Sequence, residues 1–271
     1  MKIRSAVLRE MGLPQPYKES RPIKIETLEL DPPQKDEVLV EIKAASLCHS
    51  DLSVINGSRP RPLPMALGHE ASGVVKEVGE GVTDLQPGDH VVLVFVPSCG
   101  ECIPCKEGRP NLCEKGAVSN TKGTLLNGEI RMHKDGEEIL HHLGLSAFSE
   151  HVVVSKNSLV KVDKTIPFEQ VALFGCAIIT GVGAVVNTAN IKMGSTVAIV
   201  GLGGIGLSVL LGAVACGASR IIAIDINDTK LVKAKEFGAT DVFNAKDPNV
   251  VELVKEATNG GVDYAFETAG V

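Results

Sequence analysis

Residues 200–206 most constrain the fold of this chain, because they place the glycine pattern G-x-G-x-x-G between two apolar stretches. Residues 196–200 have the short, β-branched composition of a buried strand, and residues 205–216 have the composition of an apolar helix. In this context the glycines permit a tight turn, close approach of the backbone to a pyrophosphate, and close helix packing. The predicted dinucleotide-binding residues of this loop are Gly201, Gly203, Gly204, Ile205 and Gly206.

Asp225 ends the next predicted strand, nineteen residues after Gly206. A carboxylate at this position can accept hydrogen bonds from both hydroxyls of a ribose, and it would repel a 2′-phosphate. The sequence therefore favours NAD over NADP. Lys230 is a further candidate for the same ribose, and the alternative is that it lies on a solvated helix face.

Strands and helices alternate through the second half of the chain, as in a parallel sheet with crossover helices. This half predicts a Rossmann doubly wound sheet over residues 166–271, with only four of the six strands of a complete dinucleotide-binding sheet. Two missing βα units would add on the order of 60 residues. We therefore expect a chain that is truncated at its C-terminus. The predicted strands are 196–200, 220–225, 241–243 and 262–267, with helices at 205–216, 228–237 and 248–258.

The first half, residues 1–165, is rich in predicted strands that are separated by glycine and proline turns. Residues 37–45 alternate apolar and charged side chains, and 74–78 and 91–96 are further apolar runs. Short strands with frequent turns predict a compact barrel or sandwich. Residues 98–147 show little periodicity, so we expect a long functional or metal-held loop there.

Four cysteines lie within fifteen residues, in the pattern C-x2-C-x2-C-x7-C. Four thiolates saturate a tetrahedral Zn²⁺, so the spacing predicts a structural zinc site. An iron–sulfur cluster is the alternative, but that pattern has a fourth cysteine after three residues, followed by proline. Zinc is therefore preferred. The cysteines are Cys99, Cys102, Cys105 and Cys113.

Cys48, His69 and Cys176 form a second set of potential metal ligands, each placed where a strand or helix is predicted to begin or end. Two cysteines and one histidine leave the fourth position of Zn²⁺ open for a substrate, as catalytic zinc sites do. Each residue alone has a simpler interpretation as a buried cysteine or a core histidine. Cys216, on the predicted apolar helix, is most simply a small core residue.

The net charge of −6 gives no basic surplus for nucleic acid, and no run of about 18 apolar residues predicts a membrane span. We therefore expect neither nucleic acid nor a membrane as a partner. The N-terminal residues show no signal-peptide core, and seven cysteines without one indicate a reducing compartment. The expected location is the cytoplasm.

Taken in chain order, these motifs resemble the zinc-dependent alcohol dehydrogenases of the medium-chain dehydrogenase/reductase superfamily. The matching segments are Gly68-His69-Glu70-Ala71-Ser72-Gly73, the four-cysteine loop, Gly175-Cys176 with Thr180-Gly181, and residues 201–206. The resemblance implies a β-rich GroES-like catalytic domain followed by the α/β Rossmann domain. It also implies a further C-terminal portion, and full-length members form homodimers or homotetramers.

By resemblance, Cys48, His69 and Cys176 hold the catalytic zinc, and Glu70 lies beside the metal. Asp51 would orient His69 by accepting its distal N–H. Ser50 occupies the position from which the family passes on the proton of the alcohol.

The resemblance also implies roles on the cofactor and substrate sides. His49 and Thr180 are assigned to the cofactor. Ser53 stands where animal enzymes often have a relay histidine, so the proton path beyond Ser50 is open. Phe95 and Arg59 match substrate-pocket positions; Arg59 suits a polar or anionic substrate, or it is a surface arginine at the pocket mouth.

The expected function is oxidation of a primary or secondary alcohol to an aldehyde or ketone, with hydride transfer to NAD and with two Zn²⁺ ions per chain. One alternative is a catalytically incompetent, truncated zinc-binding fragment. Another is an S-(hydroxymethyl)glutathione or polyol dehydrogenase of the same superfamily.

Overall fold

A computed structural model describes residues 1–270, and the chain divides into two compact units, Met1–Cys176 and Ala177 onward. The first unit contains ten strands and five α-helices among its described residues. They are β1 (Lys2–Leu8), α1 (Tyr17–Ser20), β2 (Ile23–Leu30), β3 (Glu37–Ala45), α2 (His49–Ile55), β4 (Met65–Ala66), β5 (Ala71–Val78), β6 (His90–Leu93), α3 (Ile103–Lys106), α4 (Glu114–Lys122), β7 (Met132–Lys134), β8 (Glu137–His141), β9 (His151–Ser155), β10 (Leu159–Lys161) and α5 (Phe168–Ala172).

Two sheets build the first unit: a closed barrel in the order β1-β2-β7-β8-β4, and a sheet in the order β10-β6-β5-β3-β9. Along β3, Val38 and Val40 are fully buried while Lys43 is exposed, as the sequence alternation predicts. Each such buried valine contributes roughly 1.5–3 kcal/mol. The predicted β-rich, GroES-like character of this unit is confirmed.

The prediction of a long loop over residues 98–147 is wrong in part, because this segment contains α3, α4, β7 and β8. The buried residues of α4 are Gly116, Ser119 and Asn120, so the helix carries no apolar stripe. Strands β7 and β8 have three and five residues, too few to show a clear alternation.

The predicted domain boundary after residue 165 lies earlier than the division between the two units. Helix α5 explains the difference, because it packs on β3 and β5 of the first unit. The Ser72 hydroxyl donates a 2.7 Å hydrogen bond to the carbonyl of Phe168 at its start. The helical segments on either side of Cys176 are separate, because Cys176 has φ −141° and ψ −76° and interrupts the helix.

The second unit contains one wholly parallel sheet in the order β13-β12-β11-β14, which confirms the predicted four-stranded Rossmann sheet. Its core is formed by apolar residues of β11 and β12 and of the helix between them, including Ile199, Leu210 and Ile221. The elements are α6 (Ala177–Gly183), a π-helical segment Ala184–Ala189, β11 (Thr196–Val200), α7 (Gly204–Ala215), β12 (Arg220–Asp225), α8 (Asp228–Glu236), β13 (Asp241–Asn244), α9 (Val250–Ala257) and β14 (Tyr264–Glu267).

No single helix among residues 1–270 is long and apolar enough to cross a membrane. By length and composition alone, one pair of consecutive helical segments, Phe168–Gly175 and Ala177–Ala189, passes the same test when taken together.

Candidate metal centres and dinucleotide loop

Three separate segments of the first unit place the side chains of Cys48, His69 and Cys176. Cys48 is the residue before α2 and has extended backbone angles. His69 follows Gly68, whose φ of +95° and close approach to the backbone of Phe148 exclude a side chain. Cys176 follows a 3₁₀ turn, Leu173–Gly175, in which a Cβ at Gly175 would lie 2.1 Å from the Leu93 carbonyl oxygen.

The three donor atoms converge to within 4.8 Å of one another. Cys48 Sγ lies 3.9 Å from Cys176 Sγ, and Cys176 Sγ lies 3.7 Å from His69 Nε2. Sulfur and nitrogen ligands of a tetrahedral Zn²⁺ are separated by about 3.6–3.8 Å, given the usual bond lengths. The donor set and its spacing therefore fit zinc, with a fourth position left for another ligand.

Asp51 fixes the orientation of His69. Its Oδ1 atom lies 3.1 Å from His69 Nδ1, and its Oδ2 atom accepts the backbone N–H of Cys48 at 3.1 Å. Both side chains are almost completely buried, at 2% and 1% exposure. A proton on Nδ1 leaves Nε2 with a lone pair directed at the sulfurs, which is the tautomer that a metal requires.

The electrostatics of this centre suit a dication. Hydrogen bonds from Cys176 and His69 lower the pKa of Cys48 to about 3, and the hydrogen bond to Cys48, together with burial, raises the pKa of Cys176. Burial alone would lower the pKa of His69, but Asp51 and Cys48 raise it to about 9. The His69 ring and the Cys176 thiol thus retain protons that Zn²⁺ would displace, because metals bind thiolate and neutral imidazole, whereas Cys48 is already a thiolate.

His142 is a neighbour of this centre that the sequence reasoning missed. Its Nδ1 atom lies 3.2 Å from Asp51 Oδ1, so two imidazoles share one carboxylate oxygen. Its ring packs edge-on against His69 with 5.2 Å between centroids, and Phe95 packs on His69 in the same way at 5.7 Å. The only signal in the sequence was a histidine pair, His141-His142, that ends a short apolar segment.

The other residues predicted around the trio lie in its vicinity. Glu70 is buried next to His69. The backbone N–H and the hydroxyl of Ser50 help to lower the pKa of Cys48. His49 is exposed, and the Ser53 hydroxyl donates to its carbonyl at 3.1 Å, which directs Ser53 onto the helix backbone.

Replacing Asp51 by asparagine is expected to weaken zinc at the trio by about 10- to 100-fold, because His69 loses the anionic partner that fixes its ring. Competition with a zinc chelator, followed by metal counting, measures this affinity. The four-cysteine zinc of the same sample serves as the internal control. Equal zinc affinity at the trio in both proteins would contradict the role of Asp51.

The four cysteines of the loop also converge, with their sulfurs within 4.8 Å of one another and no disulfide among them. Cys113 Sγ accepts the backbone N–H groups of Cys99 and Gly116 at 3.2 and 3.3 Å. Backbone N–H groups of Glu101 and Cys102 lower the pKa of Cys99 to about 6. Backbone donors directed at sulfur stabilise thiolates, so this set fits a closed, four-sulfur zinc site.

The glycine loop of the second unit has the geometry that its pattern predicts. Gly201 adopts φ +90°, and a Cβ there would lie 2.6 Å from the Ala269 nitrogen. A Cβ at Gly206 would lie 1.9 Å from the Gly201 carbonyl oxygen, whereas nothing lies within 4 Å of one at Gly203. Gly203 therefore leaves open space on its side of the loop. It directly precedes the first turn of α7, whose unpaired backbone N–H groups favour the binding of a phosphate.

Asp225 is buried at the end of β12, where its carboxylate supports the loop. Oδ2 accepts the Leu202 N–H at 2.7 Å, and Oδ1 accepts the Asn227 N–H at 2.9 Å. Burial alone would raise the pKa of Asp225, but these N–H groups and Lys230, 3.6 Å away, lower it. The carboxylate is therefore ionised and fixed.

The remaining predicted cofactor residues lie on helices of the second unit. Ile205 and Thr180 are exposed. A Cβ at Gly181 would lie 2.5 Å from Ser208 Cβ, so this glycine permits the close packing of α6 on α7. Thr268 was missed by the sequence reasoning. Its hydroxyl donates a 2.7 Å hydrogen bond to the Gly201 carbonyl and so stabilises the glycine loop.

Two family models match the chain: the alcohol dehydrogenase GroES-like domain over residues 34–164, and zinc-binding dehydrogenase over residues 204–271. A crystal structure of an alcohol dehydrogenase zinc-binding domain protein from Burkholderia ambifaria is 38% identical, with a TM-score of 0.91. Benzyl alcohol dehydrogenase from Acinetobacter calcoaceticus is also 38% identical, with a TM-score of 0.90. Each covers all of this chain, which spans 71% of theirs. The chain belongs to the zinc-dependent alcohol dehydrogenases.

The zinc-dependent alcohol dehydrogenases are oxidoreductases that use zinc and a nicotinamide cofactor, and this chain belongs to that class of enzymes. A third solved structure, a zinc-binding dehydrogenase from Sinorhizobium meliloti, is bound to NADP. It is 29% identical and has a TM-score of 0.78; it covers all of this chain, which spans 71% of it.

Proposed function

We propose that this zinc-dependent alcohol dehydrogenase oxidises a primary or secondary alcohol to the aldehyde or ketone, with NAD as the hydride acceptor. The observation that carries the proposal is the convergence of Cys48, His69 and Cys176 on one point, with His69 held by a buried Asp51. We further propose a second, structural zinc at the four cysteines, which gives two zinc ions per chain.

A zinc ion in the trio would act as a Lewis acid that lowers the pKa of an alcohol oxygen in the open fourth position. The residues of this chain supply the other requirements. Ser50 lies in the first turn of α2, directly after the ligand segment at Cys48, and we assign its hydroxyl to take the proton of an alcohol at that position. Glu70 is buried beside His69 and adds negative charge near the metal. No hydrogen bond joins Ser53 to Ser50 among residues 1–270, because the Ser53 hydroxyl donates to the His49 carbonyl, so we assign the onward proton path to solvent.

The test is NADH formation with ethanol, benzyl alcohol and S-(hydroxymethyl)glutathione, combined with a zinc count. Benzyl alcohol is the first choice, because a benzyl alcohol dehydrogenase is 38% identical to this chain. Turnover of at least one alcohol by protein with two zinc ions supports the proposal. Two zinc ions without turnover of any alcohol would instead identify a zinc-binding protein without dehydrogenase activity.

The preference for NAD rests on Asp225, whose fixed negative charge would repel a 2′-phosphate. Replacing Asp225 by asparagine retains an acceptor for one of the two backbone N–H groups and removes the charge. We expect the kcat/KM ratio of NAD to NADP to fall about tenfold or more. The same substitution at Asp228, which is exposed three residues later, is the matched control. An equal ratio in both variants would contradict the role of Asp225.

A further inference from the structure

Among residues 1–270, Arg61 Nε and Asn120 Oδ1 are buried side-chain atoms without a hydrogen-bond partner. They belong to one connected set, because Arg61 Nη1 donates to the Asn120 carbonyl at 3.2 Å. Asn120 in turn donates from Nδ2 to the Phe95 carbonyl at 2.8 Å, and the Phe95 ring packs on His69. Buried polar atoms are normally paired, so these two indicate a missing partner in a set of residues that is linked to His69 through Phe95.

The charge of Arg61 is also uncompensated. Among residues 1–270, neither Arg61 nor Arg59 forms an ion pair, whereas five of the other six arginines contact a carboxylate. Burial and the nearby charge of Arg59 lower the pKa of Arg61. A half-buried cation without an anion is unfavourable, and a bound anion would offset that cost.

The segment that carries the arginines is stiff. Pro60 and Pro62 alternate with Arg59 and Arg61, and each proline fixes its own φ angle. Stiff backbone reduces the entropy that must be lost when a ligand binds. Arg59 is exposed and Arg61 is half-buried, so one of the two arginines lies at the surface and the other lies partly below it.

We propose that Arg61, assisted by Arg59, binds an anionic group of the alcohol substrate, a carboxylate or a phosphate distant from the reacting carbon. The planar guanidinium matches the paired oxygens of either group. Asn120 Oδ1 offers an acceptor to a hydroxyl of the same substrate. This inference rests on the proposed dehydrogenase function and gives it a substrate class: hydroxy acids or phosphorylated alcohols rather than simple aliphatic alcohols.

The kinetic test compares 4-(hydroxymethyl)benzoate and a hydroxyalkyl phosphate with 4-methylbenzyl alcohol, which is neutral. We expect the natural protein to prefer one of the anionic alcohols, and the preferred one identifies the group. In Arg61→Met the ratio of anionic to neutral kcat/KM should fall about 10- to 100-fold, mainly through KM. Arg61→Lys should restore part of the loss. Arg21→Met removes an exposed arginine without an ion pair and is the matched control.

A preference for the neutral alcohol, or an equal ratio in Arg61→Met and Arg21→Met, would overturn the proposal. Calorimetric titration of the zinc-loaded protein with benzoate and with inorganic phosphate separates this subsite from turnover. Binding that Arg61→Met loses supports the subsite even if no alcohol is oxidised, in which case only the proposed dehydrogenase function fails. Absence of binding by both anions to the natural protein would overturn the subsite while leaving oxidation of neutral alcohols intact.

Discussion

Replacing Cys48 by alanine is expected to lower kcat/KM for every alcohol by about a thousandfold or more, and to remove one zinc ion per chain. The reason is that Cys48 is one of only three convergent donors, with its sulfur 3.9 Å from that of Cys176. Two remaining donors do not hold Zn²⁺ firmly, and Lewis-acid activation contributes several kcal/mol, each 1.36 kcal/mol being a factor of ten in rate. Steady-state NADH formation and elemental analysis of the same sample measure both effects.

The control for Cys48→Ala is Cys216→Ala, which removes a thiol that packs with the hydrophobic core of the second unit. It should retain both zinc ions. Cys48→Ala should also retain the zinc at the four cysteines. If Cys48→Ala kept two zinc ions and full turnover, Cys48 would not be a ligand and the trio would not be the catalytic centre.

Replacing Cys113 by serine is expected to remove the other zinc ion and to lower the melting temperature by about 10 °C or more. Cys113 is 1% exposed, accepts two backbone N–H groups and lies 3.9 Å from Cys102 Sγ. Helix α3 has four residues and no buried one, so we expect metal coordination rather than an apolar core to order this loop. Thermal unfolding followed by circular dichroism, with a zinc count, measures the change.

Cys216→Ser is the matched substitution for Cys113→Ser, and it should retain both zinc ions. Elemental analysis of the natural protein also decides between zinc and the iron–sulfur alternative. Iron in place of zinc at the four cysteines would contradict the structural-zinc assignment. An unchanged melting temperature in Cys113→Ser would show that the loop is ordered without its metal.

Features that depend on local backbone geometry were predictable from the sequence. The glycine loop is one, because its φ angles and close approaches require glycine at Gly201 and Gly206. The four cysteines are another, since fifteen residues confine their sulfurs to a small volume whatever the loop conformation. The convergence of donor atoms that lie so close in sequence can be predicted without knowledge of the fold.

Features that depend on tertiary placement were not predictable. His142 lies 73 residues after His69, and its contact with Asp51 depends on how β8 ends within the barrel. Helix α4 was missed because its buried face consists of small and polar residues. The unpaired state of Arg61 depends on which carboxylates the fold brings near it, and no ion pair with Arg61 forms among residues 1–270.

The most direct test of the metal centre is an anomalous difference map, measured at the zinc absorption edge, of a crystal of the zinc-loaded protein. We predict two peaks per chain, one at the four cysteines and one bounded by Cys48 Sγ, His69 Nε2 and Cys176 Sγ. A map with a peak at the four cysteines and none among the other three atoms would contradict the proposed catalytic zinc.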